Sequence, residues 1–294
     1  MIKALGHRGV RQRKDIDENS LQAFEKAFAE SDGIETDAAV SADGTPYLVH
    51  EITQLTIPHL YARARYALKG HLDKVSRKLL GKKRLDQITD KDVDKLHLKH
   101  GGKLPKLSEL FDLAAKYPGK TINIELKGHG SVGPVLAEIN AAIKAKKITK
   151  DQIVLTSFDH LSIKKVRELD PEIKCGFIFA RYSKGRTRIY PWTNNKVSRY
   201  IQFSKKVLGS KTAKEVDPDF FVMTPGAISS RKMKQLRKYF PKAQIMLWTT
   251  KQPDKDRKLN KMLKNPDVAP HIHAVISDFP EKMATHLKKK GLRS

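Results

Sequence analysis

The chain has 294 residues, 39% of them hydrophobic and 31% charged, with 58 Lys and Arg against 32 Asp and Glu for a formal net charge of +26. No apolar run approaches the roughly 20 residues of a membrane span, and the opening MIKALGHRGVRQRKD is too polar for a secretory signal, so a cytoplasmic protein is expected, with peripheral membrane contact as the alternative. A single cysteine, Cys175, excludes an internal disulfide framework and a thiolate metal cluster, and its apolar surroundings in CGFIFA mark a buried thiol rather than a nucleophile.

In chain order, short apolar runs alternate with helical periods. IKALGH reads as a strand, and NSLQAFEKAFAES as a helix whose Leu21, Phe24, Ala27 and Phe28 recur at three and four. GIETDAAV and YLVH are two extended runs joined by the turn signal Asp43-Gly44. Residues 59–80 then place Leu60, Ala64, Ala67, Leu68, Leu72, Val75 and Leu79 near helical spacing among basic residues, an amphipathic surface pair. The strands TINIELKG, IVLTSF, CGFIFA, FFVMTP, QIMLWTT and AVISDF follow, separated by the helical stretches LSELFDLAAKY, GPVLAEINAAIKAKK, LSIKKVRELD, SSRKMKQLRKYF, DRKLNKMLK and EKMATHLKKKG.

Eight strand candidates interleaved with helices predict an α/β chain of the TIM (β/α)8 barrel type, one domain over 1–294 with a basic helical insertion at 52–104 after the second strand. The alternative is an open doubly wound sheet, for which no G-x-G-x-x-G or phosphate loop is present. Residues 181–217 also exceed a minimal barrel.

The charge is uneven: residues 1–58 carry a net −4, whereas 59–106, 181–215 and 231–264 carry +9, +9 and +10. Such a field favours polyanions: nucleic acid, an anionic membrane or a phosphorylated small molecule. Tyr61, Tyr66, Tyr182, Tyr190, Trp192, Tyr200 and Phe203 lie among these basic segments, as stacking platforms would, but no nucleic-acid-binding module is visible and no specific nucleic acid is expected.

In a barrel the carboxyl ends of the strands form the active face. Glu35 and Asp37 are two apart and share a strand face, as do Glu125 and Lys127; His7-Arg8, His50, Trp248 and Asp278 stand at other strand ends. Like charges about 4 Å apart repel by about 4 kcal/mol at an effective dielectric near 20, so three such carboxylates raise their pKa values or hold a cation. All-oxygen ligands favour Mg²⁺ or Ca²⁺ over zinc. Two histidines suit acid/base work near neutral pH, and Arg8 and Lys127 complement a phosphate, a set that describes phosphoester hydrolysis. Asp278 is read as structural, and His59, His71, His97, His100 and His129 as solvated.

G-H-R-G at 6–9, E-N-S at 18–20, G-I-E-T-D at 33–37, D-G at 43–44, V-H-E at 49–51 and I-E-L-K at 124–127 occur in the order of a known family, continued by LTSFD at 155–159, LWTT at 247–250 and ISDFP at 276–280. On these motifs the chain resembles the glycerophosphodiester phosphodiesterases, over most of its length outside 52–104 and 181–217. The resemblance implies a barrel with an insertion after strand two, and a divalent cation, Mg²⁺ or Ca²⁺, held by Glu35, Asp37 and Glu125. It implies His7 and His50 as the acid/base pair, Arg8 and Lys127 on the phosphate, and Trp248 lining the substrate pocket. The products would be sn-glycerol 3-phosphate and an alcohol.

Three departures from the family pattern stand out: Glu51 follows the second histidine where Asp is usual, Asp17 replaces the Pro before Glu18-Asn19 with Ser20 keeping a helix cap, and Thr250-Lys251 follow Trp248-Thr249. Sphingomyelinase D-like enzymes share related opening motifs. Lysophospholipid hydrolysis at an anionic membrane, and a catalytically weak polyanion-binding barrel, are the alternative functions.

Overall fold

The computed structural model describes residues 1–50, 72–81, 83–179 and 203–293. Nine strands are formed: β1 Lys3–His7, β2 Gly33–Val40, β3 Pro46–Leu48, β4 Thr121–Leu126, β5 Ile153–Ser157, β6 Lys174–Ile178, β7 Phe220–Met223, β8 Gln244–Thr249 and β9 Ile272–Ser277. Eight of them pair in parallel around a closed ring, β1-β2-β4-β5-β6-β7-β8-β9, with β9 returning to β1. This is the (β/α)8 barrel expected from the alternation of runs. β3 stands outside the ring, antiparallel to the end of β2, with Ala38 opposite Leu48 and Val40 opposite Pro46. The open sheet is excluded by the β1–β2 and β1–β9 pairings.

The helices cover the outside, and their boundaries follow capping chemistry. The first, Leu21–Glu30, starts where Ser20 Oγ accepts from Ala23 N at 3.1 Å, so the departure at Asp17 leaves the cap intact. Its buried stripe Ala23, Phe24, Ala27 and Phe28 packs on the outward faces of the strands, among them Ile34, Ala38, Ile122 and Ile124. A second apolar cluster fills the barrel axis: Leu5, Val154, Ile178, Phe220, Val222, Met246, Ala274 and Ile276, with Phe158 and Trp248 packed against it. The interior is therefore apolar on the β5–β9 side. Towards the carboxyl ends of β1, β2 and β4 the interior positions turn polar, with His7, Glu35, Asp37, Asn123 and Glu125, and this asymmetry sets the site off the barrel axis.

Residues 72–104 of the predicted insertion build a satellite core of Leu72, Leu80, Leu85, Ile88, Val93, Leu96, Leu98 and Leu104 against Ala39, Tyr47 and Val49. Of the amphipathic helix pair expected over 59–80, residues 59–71 lie outside the described residues, while Lys74–Leu80 is helical with Val75 and Leu79 exposed. The turn near His100 docks on the loop after β1, with His100 Nδ1 3.0 Å from Asp17 Oδ1. Residues 181–202 of the other extra segment, with Tyr182, Tyr190, Trp192 and Tyr200, and Tyr61 and Tyr66 of the insertion, also lie outside the described residues. Phe203, counted in the sequence as available for stacking, is instead buried against Phe179 and Phe221, because its segment returns to the helical layer. Cys175 is buried and its thiol is pushed up to about 12 by desolvation, which makes it inert. Among the described residues no helix is long and apolar enough to cross a membrane.

Candidate active site

β2 is buried on both faces, so its carboxylates cannot be a solvated edge: Glu35 is 4% exposed and Asp37 0%. Register places Asp37 beside Glu125 of β4, and one ligand oxygen from each of Glu35, Asp37 and Glu125 lies within 4.8 Å of the others. The same register puts His7 of β1 beside Glu35. The three carboxylates, His7, His50, Arg8, Arg11, Asn123 and Trp248 surround the upper end of the barrel, where a cavity of about 250 Å³ is floored by Phe158, Ile178, Val222 and Ile276; of these residues only Asp37 does not reach the cavity wall. All eight side chains expected from the sequence are thus brought to one end of the barrel, with Lys127 reaching Glu125 and Asp37 from the end of β4.

Backbone strain helps to place them. Arg8 has φ 53, the left-handed region that a long side chain avoids, and its amide donates both to Glu35 O at 2.8 Å and to Glu35 Oε2 at 3.1 Å. Gly9 follows at φ 80, where an added Cβ would sit 2.6 Å from the Ala23 backbone. The turn aims the Arg8 guanidinium at Glu18 Oε1, 2.6 Å away, and brings its Nε to 2.9 Å from Asp37 Oδ2, close enough for an ion pair but not aligned as a hydrogen bond. Burial works against the charge of Arg8, but Asp37, Glu18 and Glu35 together raise its pKa.

Lys127 Nζ lies 2.5 Å from Glu125 Oε1 and 2.7 Å from Asp37 Oδ1. Asn19, also at positive φ, donates to Asp37 Oδ2 at 3.1 Å and accepts from Thr36 Oγ1. The three carboxylates respond differently to this environment. Burial, then Asp37 and Glu125, push Glu35 well above the ordinary carboxylate range, and burial raises Glu125. Burial would raise Asp37 too, but Lys127, Arg8 and His50 hold it well below its usual value. Two cations do not balance three buried carboxylates, and Asp37 Oδ1 accepts no aligned hydrogen bond. A hard divalent cation fits this oxygen-only, electron-rich cradle.

His7 Nδ1 lies 2.5 Å from Asp278 Oδ1, and its Nε2 lies 3.8 Å from Glu35 Oε2. Asp278, just past β9, has a fully buried side chain and also accepts from Gln12 Nε2 at 3.0 Å and Arg11 Nη1 at 3.3 Å. Burial opposes its charge, but His7, Gln12 and Arg11 hold its pKa below the ordinary value. An ionised Asp278 assigns the proton to Nδ1 of His7 and leaves Nε2 as the free lone pair. Desolvation lowers the pKa of His7, with the Asp278 hydrogen bond opposing it. Asp278, read from the sequence as structural, is thus in direct contact with His7. Sequence reasoning also passed over Glu18, Arg11, Asn19 and Asn123; the first and third stand in the E-N-S motif, but nothing local marks the other two.

A parallel barrel that gathers two histidines, two cations and a buried carboxylate triad at one end has the makings of a phosphoric ester hydrolase. The profile of the Glycerophosphoryl diester phosphodiesterase family matches residues 7–282. The chain belongs to this family, and its class is that of the phosphoric diester hydrolases. A glycerophosphodiester phosphodiesterase from Caldanaerobacter subterraneus subsp. tengcongensis is 25% identical over 296 residues, covering 98% of each chain. A glycerophosphodiester phosphodiesterase from Parabacteroides distasonis has the same fold, with a TM-score of 0.66 at 15% identity over 99% of this chain and 98% of that one. So does a phosphodiesterase from Oleispira antarctica in complex with the product sn-glycerol-3-phosphate, with a TM-score of 0.65 at 16% identity over 97% and 96%.

Proposed function

We propose that the chain hydrolyses glycerophosphodiesters to sn-glycerol 3-phosphate and an alcohol, with a divalent cation held by Glu35, Asp37 and Glu125. The observation that carries this reading is the triad of buried carboxylates within 4.8 Å of one another beside His7. A bound Mg²⁺ or Ca²⁺ would supply electrostatic stabilisation of the phosphoryl oxygens and an orienting template. The chain's own residues do the rest. Arg8 and Lys127 draw the phosphate towards the triad and offset its charge. His7, with Nδ1 committed to Asp278, accepts at Nε2 the proton of the attacking hydroxyl, a water or the neighbouring hydroxyl of the substrate. As the new P–O bond forms and the bond to the alcohol breaks, His50 protonates the departing alkoxide. Trp248 and the apolar floor bound the space left for the substrate's carbon skeleton.

The test is choline release from glycerophosphocholine, with and without a chelator, beside His7→Ala and His50→Ala. Chelator-sensitive turnover abolished by both substitutions supports the reading; turnover indifferent to both would remove it. One observation favours a second substrate source. Val75 is 75% and Leu79 56% exposed on a helix that also presents Lys74, Arg77 and Lys78 to solvent, the pattern of an interfacial helix on an anionic membrane. Lysophosphatidylcholine in anionic vesicles turned over in preference to glycerophosphocholine, and loss of that preference in Val75→Ser/Leu79→Ser, would support it; equal rates would set it aside.

A further inference from the structure

We infer that Asn123 is a substrate-binding residue that presents Nδ2 to a non-bridging oxygen of the phosphodiester, an inference that rests on the phosphodiester reading above. Asn123 lies on β4 two residues before Glu125 and so shares its face. In register it stands beside Glu35, which stands beside His7, so the three occupy one row across adjacent strands. The side chain lines the same cavity as His7, His50 and Glu125 and is only 1% exposed.

Its two amide atoms differ. Oδ1 accepts the hydroxyl of Thr156 at 2.9 Å, and Thr156 is itself fully buried on β5. Nδ2 is buried with no hydrogen-bond partner among the described residues. A buried donor left unpaired carries its whole desolvation penalty, which an apolar residue of the same shape would avoid. Reversing the amide would give Thr156 a donor to accept from, but would turn an oxygen towards a cavity already lined by Glu35 and Glu125. The orientation with Nδ2 facing the cavity is therefore the one that electrostatics favours. An N–H cannot ligate a cation. It can meet an oxygen that carries negative charge, and at the row of His7 that is an oxygen on the reacting phosphorus, where charge grows in the transition state.

The experiment compares wild type with Asn123→Ala and with the isosteric Asn123→Asp, which keeps the acceptor for Thr156 if truncation disturbs folding. Five quantities are read: kcat and KM on glycerophosphocholine, affinity for sn-glycerol 3-phosphate, affinity for the cation alone, and melting temperature. Asn123→Ala is expected to lower kcat by about 10²- to 10³-fold, as loss of one preorganised donor does. It should weaken sn-glycerol 3-phosphate roughly tenfold while leaving cation affinity within about twofold. Asn123→Asp should weaken sn-glycerol 3-phosphate at least as much and bind the cation no less tightly. Loss of cation affinity with unchanged glycerol phosphate binding would make the amide a ligand and overturn the inference. A lowered melting temperature with kcat/KM and glycerol phosphate affinity unchanged would make it structural and overturn it equally. If wild type failed to turn over any glycerophosphodiester, that would count against the phosphodiester reading, and the sn-glycerol 3-phosphate titration would still decide the role of Asn123.

Discussion

His7 and Asp278, 271 residues apart in the chain, meet at 2.5 Å between Nδ1 and Oδ1, and this one contact closes the barrel chemically where β1 and β9 close it by backbone pairing. It fixes which imidazole nitrogen faces the cavity. Asp278→Asn should keep the contact while reversing the tautomer preference, lowering kcat by about 10²- to 10⁴-fold. The acid limb of the kcat/KM profile should also shift, since the imidazolium loses its counter-charge. Steady-state rates over a pH series, with circular dichroism to confirm the fold, check this; an unshifted profile with normal kcat would return Asp278 to a structural role.

The carboxylate triad predicts a cation-dependent melting temperature. At a cation concentration about 100 times its dissociation constant the folded state gains about 2.7 kcal/mol. Differential scanning calorimetry with Mg²⁺ and with Ca²⁺ should show an upward shift that chelator reverses. Glu35→Gln should abolish the shift without lowering the melting temperature of the cation-free protein, because it removes a buried like-charge repulsion.

His160 predicts part of the acid instability. It stacks on Phe177 with ring centroids 4.0 Å apart, its Nε2 is 3.2 Å from Ile178 O, and burial lowers its pKa to about 4. The folded state therefore keeps it neutral while the unfolded chain titrates near 6.5. Its contribution is complete above about pH 6.5 and is lost as pH falls towards about 4, amounting to on the order of 3 kcal/mol. His160→Leu should narrow the gap in urea midpoint between pH 7 and pH 4.5; His273, whose pKa burial also lowers to about 4, will keep some of the slope.

Gly9 is required by both conformation and space. Gly9→Ala would place a Cβ 2.6 Å from the Ala23 backbone at φ 80, and should cost more than about 2 kcal/mol in stability. Because Arg8 precedes it, phosphate affinity should fall as well. Urea denaturation and sn-glycerol 3-phosphate titration measure the two effects separately.

Much of this site is local in origin. The two-residue repeat that puts Glu35 with Asp37, and Glu125 with Lys127, is a property of any extended backbone, so it is visible in GIETDAAV and TINIELKG before any strand has a neighbour. The eight runs of β1, β2 and β4–β9 are likewise visible, since strands covered on both faces must be apolar along their length. Ser20 could be read as a cap because capping involves only the next three residues. The sequence by itself thus determined the eight barrel strands and the eight side chains expected at their carboxyl ends, while closure of the ring against an open sheet came from the β1–β2 and β1–β9 pairings. Tertiary structure alone decided the rest: that Asp278 meets His7, that Arg8 is held by Glu18 and Asp37, that Phe203 is buried, and that Asn123 lines the cavity with its Nδ2 buried and unpaired among the described residues. Those facts depend on how the closed barrel and its loops set side chains against one another, from Arg8 and Glu18, 10 residues apart, to His7 and Asp278, 271 apart. No short-range periodicity encodes a hydrogen bond between groups whose separation only the closed barrel sets.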